Sequence, residues 1–203
     1  MMNQWNERYS AAEYAYGTEP NEYLKQQLTN ISAGTILFPA EGEGRNAVFA
    51  ASIGWQVTAF DQSTEGQRKA LELAAGKGIS IDYLVGEFAE MQFPQAHFDA
   101  IALIYAHFPA ATKLDYHKKL SSWLKPGGLL IFEAFSKKHL EYRQKNPAVG
   151  GPNDEAMLFS IPEITESFSN YEVLELIETT VNLQEGLYHN GEGSVIRFTG
   201  RKK

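Results

Sequence analysis

The sequence predicts an α/β chain built on a doubly wound, mostly parallel sheet, and three observations carry that prediction. Short apolar runs alternate with amphipathic stretches at a spacing that suits strand–helix–strand units. Within Thr35–Asp61 the order is strand, glycine loop, helix, strand, terminal acid. The last two apolar runs follow one another with no helix between them, so they should pair antiparallel.

Taken in order, the first thirty residues are rich in aromatic rings: Trp5, Tyr9, Tyr14, Tyr16 and Tyr23. Tyr14–Pro20 contains Gly17 and Pro20 and reads as a loop, and Asn21 can cap a helix holding Tyr23, Leu24 and Leu28. This 1–30 segment is expected either to pack its rings on the sheet or to close as a flap over a ligand, since loops often carry function. Ile36-Leu37-Phe38 suits a strand buried on both faces. A tight loop, Ala40–Gly44, leads into an amphipathic helix from Arg45 to Ile53, stopped by Gly54. Gln56–Phe60 is the second strand and ends on Asp61.

Ser63 can cap the next helix, which runs through Ala70 and Leu71 to Gly76. Ile79–Val85 is the third strand, followed by Gly86-Glu87-Phe88, and Phe98–Ile104 is the fourth, followed by Tyr105-Ala106-His107. Lys113–Leu124 is helical until Lys125-Pro126-Gly127-Gly128 breaks it, and Leu129–Ala134 is the fifth strand. Phe135–Pro152 is a long basic and aromatic connection with a flexible glycine pair, Gly150-Gly151. A connection of that length is usually functional or mobile. Ser160-Ile161-Pro162-Glu163 is a capping box that opens a helix to Phe168. Tyr171–Asn182 and Ser194–Gly200 are the final strands, joined by a loop over Leu183–Gly193.

Strand, glycine loop, helix and distal acid form the arrangement that holds a nucleoside at the carboxyl ends of an open α/β sheet. Gly42 and Gly44 allow positive φ and close approach of a ligand to the backbone. The first turn of the helix offers unpaired N–H groups. Asp61 lies at the distance along the chain where a carboxylate reaches a ribose diol. Gly42–Ala47 also fits the dinucleotide pattern GxGxx(G/A), but Glu41 and Glu43 would set like charge against a pyrophosphate. Arg45 is one possible offset. A ligand with a cationic centre suits the acidic loop better, and S-adenosyl-L-methionine carries a sulfonium and an ammonium. Glu87 is placed to accept from an adenine amine with Phe88 beside the ring, or else is a solvated loop carboxylate.

Composition narrows the classes. A chain of 203 residues, 43% hydrophobic, supports one sizeable core. A net charge of −7 argues against a broad nucleic-acid-binding face. The chain has no cysteine, so disulfides, thiolate metal sites and a cysteine nucleophile are excluded. No metal site is expected. No apolar run approaches a membrane span and no signal-peptide order is seen, so a cytoplasmic protein with no membrane contact is the expectation.

Several stretches together resemble the class I S-adenosylmethionine-dependent methyltransferases, most closely the small bacterial subgroup related to tellurite-resistance and thiopurine methyltransferases. They are Trp5…Arg8-Tyr9…Tyr16–Pro20, Glu41–Ala47, Asp61, Phe98-Asp99, Leu124–Gly128, and Glu133–Ser136 through Pro152. The resemblance spans nearly the whole chain as one domain, with residues 1–30 as a flap and 135–168 as a lid and helix insertion. It implies a seven-stranded, Rossmann-like sheet in the order 3-2-1-4-5-7-6 with the last strand antiparallel. It implies a donor site of Glu41, Gly42, Gly44, Asn46, Asp61, Gln62, Glu87, Phe88 and Tyr105, with the glycine loop at the methionine portion and Asp61 at the ribose. Trp5, Tyr16 and Phe135 would line the acceptor side or the lids. Phe38 and Ala40 depart from the family pattern of an acid and a glycine, and Glu41 is placed to substitute.

The activity so implied is methyl transfer to a small molecule, with a thiol or chalcogen species as the suggested acceptor. A noncatalytic S-adenosylmethionine sensor or scaffold is the alternative, and an NAD-linked oxidoreductase a weaker third. Displacement at a sulfonium needs no acid for its leaving group, so placement should dominate. His107 and Tyr105 are the candidate catalytic residues, orienting rather than essential; the other reading of His107 is a loop histidine bonded to a backbone carbonyl.

Overall fold

The structure is a computed structural model that describes residues 4–203, so the first three residues of the expected flap lie outside it. Seven strands form one sheet: β1 (Thr35–Pro39), β2 (Gln56–Asp61), β3 (Asp82–Val85), β4 (Phe98–Ile104), β5 (Leu124–Phe135), β6 (Tyr171–Glu185) and β7 (His189–Lys202). Their order is β3-β2-β1-β4-β5-β7-β6, parallel except for β7, which runs antiparallel to both neighbours. The expected fold and strand order are observed.

The helices are α1 (Gln4–Tyr9), α2 (Glu22–Thr29), α3 (Arg45–Ser52), α4 (Thr64–Gly76), α5 (Ala110–Trp123), α6 (His139–Lys145) and α7 (Ile161–Ser167). Period-two alternation along β1 divides the core between the two faces. Ile36 and Phe38 pack with Leu24 and Leu28 of α2 and Ala47 and Ala50 of α3. Leu37 joins the opposite cluster, which includes Leu120 and Trp123 of α5 and Ile164 and Phe168 of α7. Asn21 and Ser63 cap α2 and α4 through bonds from the Leu24 and Gly66 amides, as their positions predict.

Four local expectations are corrected. Leu124–Gly128 does not precede β5 but opens it: pairing shifts from Phe98–Leu124 to Ala100–Leu129, so the intervening residues bulge out, a position a strand allows to proline. Residues 183–193 are not a loop; both strands continue and turn at Gly186–Tyr188. The 135–152 connection is not open chain. It folds α6, and Gly150 and Gly151 are pressed so close to the Tyr188 carbonyl and the Phe135 ring that a Cβ would overlap them. Ser160 donates to the Glu163 carboxylate at 2.5 Å and makes no hydrogen bond to the helix amides, so the capping box is incomplete.

Candidate active site

The loop after β1 is shaped by left-handed backbone at Ala40, Gly42 and Gly44 (φ 52°, 64° and 87°). At Gly44 a Cβ would come within 2.4 Å of the Ala70 Cβ, so glycine there lets α3 begin against α4. The Gly42 carbonyl accepts from the Tyr83 hydroxyl (2.5 Å), which fixes the loop's crest to β3.

The two loop acids take different tasks. Glu41 Oε1 accepts from the Asn46 and Ala47 amides at 2.9 and 2.8 Å. It therefore fills the N-terminus of α3, the place a phosphate would use. Burial pushes its carboxyl up to about 7, against the pull of those amides and Arg45. The loop reads as two open acids in the sequence, but Glu43 is spent: buried, it pairs with Lys69 at 2.7 Å and accepts from the Ala15 amide. The helix amides expected to face a ligand are likewise occupied by Glu41.

Asp61, at the end of β2, accepts from the Gly42 and Ser63 amides at 3.1 and 2.9 Å and is 7% exposed. Burial raises its carboxyl to about 6 despite those bonds. A carboxylate has about four acceptor sites. The Gln62 amide also stabilises its charge, so Asp61 keeps room for a further bond beside the glycine loop, and a ribose hydroxyl fits there. The segment above is tied down: Tyr9 lies against Gly42 and stacks on Trp5, while Asn6 accepts from Ser63 at 2.6 Å. Gln62 follows Asp61. Glu87 is exposed, whereas Phe88 is buried in the core with Tyr116 stacked on it at 4.2 Å.

Beyond the loop, the ends of β4 and β5, the Tyr16–Glu22 segment and the β6–β7 hairpin enclose a cavity of about 420 Å³. Tyr16, Arg45, Tyr105, Glu133, Glu185 and Arg197 are among its walls. Tyr105 sits at φ 52°, an uncommon conformation for a residue with a side chain, and its amide donates to the Glu133 carbonyl at 2.7 Å. Its hydroxyl is buried without a hydrogen-bond partner among the described residues. Burial and the nearby Glu133 and Glu185 raise that phenol well above its ordinary value.

His107 Nδ1 lies 3.0 Å from the Met157 carbonyl oxygen, and its Nε2 is buried without a partner among the described residues. Burial brings its pKa down to about 4. Phe135 is the last residue of β5 and is buried in a stack with His139 at 3.9 Å; it does not lie on a mobile surface.

Several residues of this region went unnoticed in the sequence reading. Glu133 Oε1 accepts from Asn21 Nδ2 and Oε2 from Arg197 Nε, both at 2.6 Å. Asn21 also gives its amide to Asn46 Oδ1 at 2.9 Å, which ties α2 to α3. Glu185 Oε2 pairs with Arg45 at 3.0 Å and with His189 at 2.8 Å. Burial alone would raise Glu185, but Arg45 and His189 hold it down to about 2. A signal existed: Glu133 follows the apolar run Leu129–Phe132 and Arg197 sits between Ile196 and Phe198, and the β5–β7 register sets the two opposite one another.

Sheet order and a nucleoside-type loop above an acid-terminated β2 define the class I methyltransferase architecture. The comparisons agree. Residues 36–128 match the family described as a methyltransferase domain. The sterol 24-C-methyltransferase ERG6A of Gibberella zeae is 26% identical over 131 residues, covering 60% of this chain; the chain spans about a third (34%) of that relative's length. A structure reported for the conversion of a disulfide bond into a thioacetal group during echinomycin biosynthesis superposes with a TM-score of 0.77 at 16% identity, covering 98% of this chain and 88% of the other. A SAM-dependent methyltransferase from Aquifex aeolicus gives 0.64 at 16% identity, covering 89% of each chain. The solved structures share this chain's fold, and the match to the methyltransferase-domain family covers a little under half of its length. Among the described residues no helix is long and apolar enough to cross a membrane.

Proposed function

We propose that this protein transfers a methyl group from S-adenosyl-L-methionine to a small molecule that enters the cavity at Tyr105. One observation carries the reading: a buried Asp61 with spare acceptor capacity stands beside the glycine loop, and a separate polar cavity opens next to it, with Arg45 and Tyr105 on its wall. A sensor would need only the first of these. A pyrophosphate cofactor is disfavoured because Glu41 already occupies the helix amides it would use.

Bound donor would supply an electrophilic methyl group on a sulfonium. Asp61 would accept from the ribose hydroxyls and Glu41 would keep the loop in shape; Glu87, Gln62 and Asn46 border the same loop end. The protein's own contribution is then to hold the acceptor and exclude water around Tyr105. His107 holds no acid partner and faces a backbone carbonyl, which supports an acceptor that brings its own lone pair, such as a thiol or a chalcogen species. The N-terminal segment and the 135–168 region would wall the site. Nothing in the charge pattern calls for nucleic acid or a membrane as partner, and a cytoplasmic location fits that chemistry.

Calorimetric titration with S-adenosylmethionine, followed by S-adenosylhomocysteine formation with a panel of small thiols, tests the proposal. Binding with turnover is expected. Binding without turnover on any acceptor would leave a sensor, and preference for NAD would overturn the donor.

A further inference from the structure

The cavity beside Tyr105 is walled by donors that lack a hydrogen-bond partner among the described residues. Glu133 is bonded to Asn21 and Arg197, and Glu185 to Arg45 and His189, so each carboxylate already faces an arginine. Arg45 is itself engaged by Glu185 and the Glu19 carbonyl. Arg197 differs. Its Nε is bonded to Glu133 and its guanidinium carbon lies 4.9 Å from the Tyr23 ring centroid, so the plane is held, yet its two terminal nitrogens have no partner among the described residues. Its side chain is 24% exposed on the cavity side. The Tyr105 hydroxyl is the second unmet donor.

A fixed guanidinium fork matches a planar oxyanion in two-pronged fashion. The remaining carboxylates, Glu19 and Glu22, are exposed at the mouth, where they disfavour a second negative charge. We propose that the methyl acceptor carries a single carboxylate, which the free end of Arg197 takes up within the cavity that Tyr105 lines. This deepens the methyltransferase reading and rests on it. The polar walls also set the cavity apart from one suited to a sterol, the substrate class in the name of the Gibberella zeae relative.

The test uses the intact protein saturated with S-adenosylhomocysteine, whose affinity is measured first by calorimetry. Propionate and butyrate are then compared with propionamide and butyramide by ligand-observed NMR. The acids should bind with roughly millimolar affinity, and the amides at least about tenfold more weakly. Arg197→Gln should abolish the preference, Arg197→Lys should keep part of it, and S-adenosylhomocysteine affinity should stay within about twofold in both. Equal binding of acids and amides, or none, overturns the proposal in the wild-type protein, whatever the folding of the variants. A large loss of S-adenosylhomocysteine affinity in Arg197→Gln also overturns it, since Arg197 would then serve the donor's own carboxylate. Failure of the wild type to bind S-adenosylhomocysteine at all is a different result and sinks the methyltransferase reading itself.

Discussion

At the scale of single residues, the proposed function gives Asp61 the ribose and leaves His107 a bystander. Asp61 keeps acceptor sites free beside the loop, so Asp61→Ala should weaken S-adenosylmethionine binding by about 1.5–3 kcal/mol, the range for hydrogen bonds to a charged group. Calorimetry measures it, and a melting curve without ligand shows how much comes from releasing the Gly42 and Ser63 amides. His107 is neutral at pH 7 with a pKa of about 4, and Nδ1 faces a carbonyl. His107→Ala should therefore lower kcat by about tenfold or less, below the range of general acid–base catalysis. A thousandfold loss with donor affinity intact would make it an essential base. The place of Asp61 beside the glycine loop was legible because an acid that ends the strand after such a loop lies within reach of it. Arg197 and Glu133 were not, because their partnership depends on which residues the β5–β7 register sets opposite each other, and sequence does not fix that register.

At the scale of elements, the strands of the parallel half were legible because burial on both faces writes continuous apolar runs, as in β1 and β4. The hairpin was misjudged because Leu183–Gly193 is rich in glycine and polar residues, and its strand character comes from pairing across the turn. That hairpin braces the N-terminal segment. Leu187 gives its amide to the Ala15 carbonyl at 2.8 Å, and a Cβ on Gly186, which sits at φ 61°, would come within 2.4 Å of the Gly17 nitrogen. Gly186→Ala should force the two apart. Hydrogen exchange over residues 9–20 should then quicken by about tenfold or more, while the β1–β4 core exchanges as before. Unchanged exchange would mean that the segment is held without the hairpin, by contacts such as those of Glu43 and Lys69 with the Ala15 amide and the Glu13 carbonyl. In the wild type, donor binding should slow exchange in the same segment if it closes over the site.

At the scale of the whole molecule, opposing buried groups set the response to pH. His107, His117 and His139 are each brought down to about 4 by burial. The unfolded chain takes up these protons below about 6.5 and the folded chain only below about 4, so their contribution is lost as pH falls through that window. Glu41 and Asp61 act in the other direction. Raised to about 7 and about 6, they make folding costlier as pH rises from about 4 towards 7. The histidines are more numerous, so stability should fall on acidification below about 6.5. His117 isolates the effect. It is fully buried among Phe132, Phe159 and Phe168, both ring nitrogens lack partners among the described residues, and Lys113 is the nearby charge. Leucine is apolar and of similar size, so His117→Leu removes two unsatisfied buried atoms together with a titrating group. The variant should be about 1–2 kcal/mol more stable at pH 7, a rise of about 2–8 °C in Tm for a chain of this length. Its advantage should widen as pH drops from 6.5 towards 4, because the wild type alone keeps this proton-linked loss. Melting curves at half-unit pH steps decide the matter: a constant offset between the two proteins would show that His117 does not titrate in that window, and that another histidine governs the acid response.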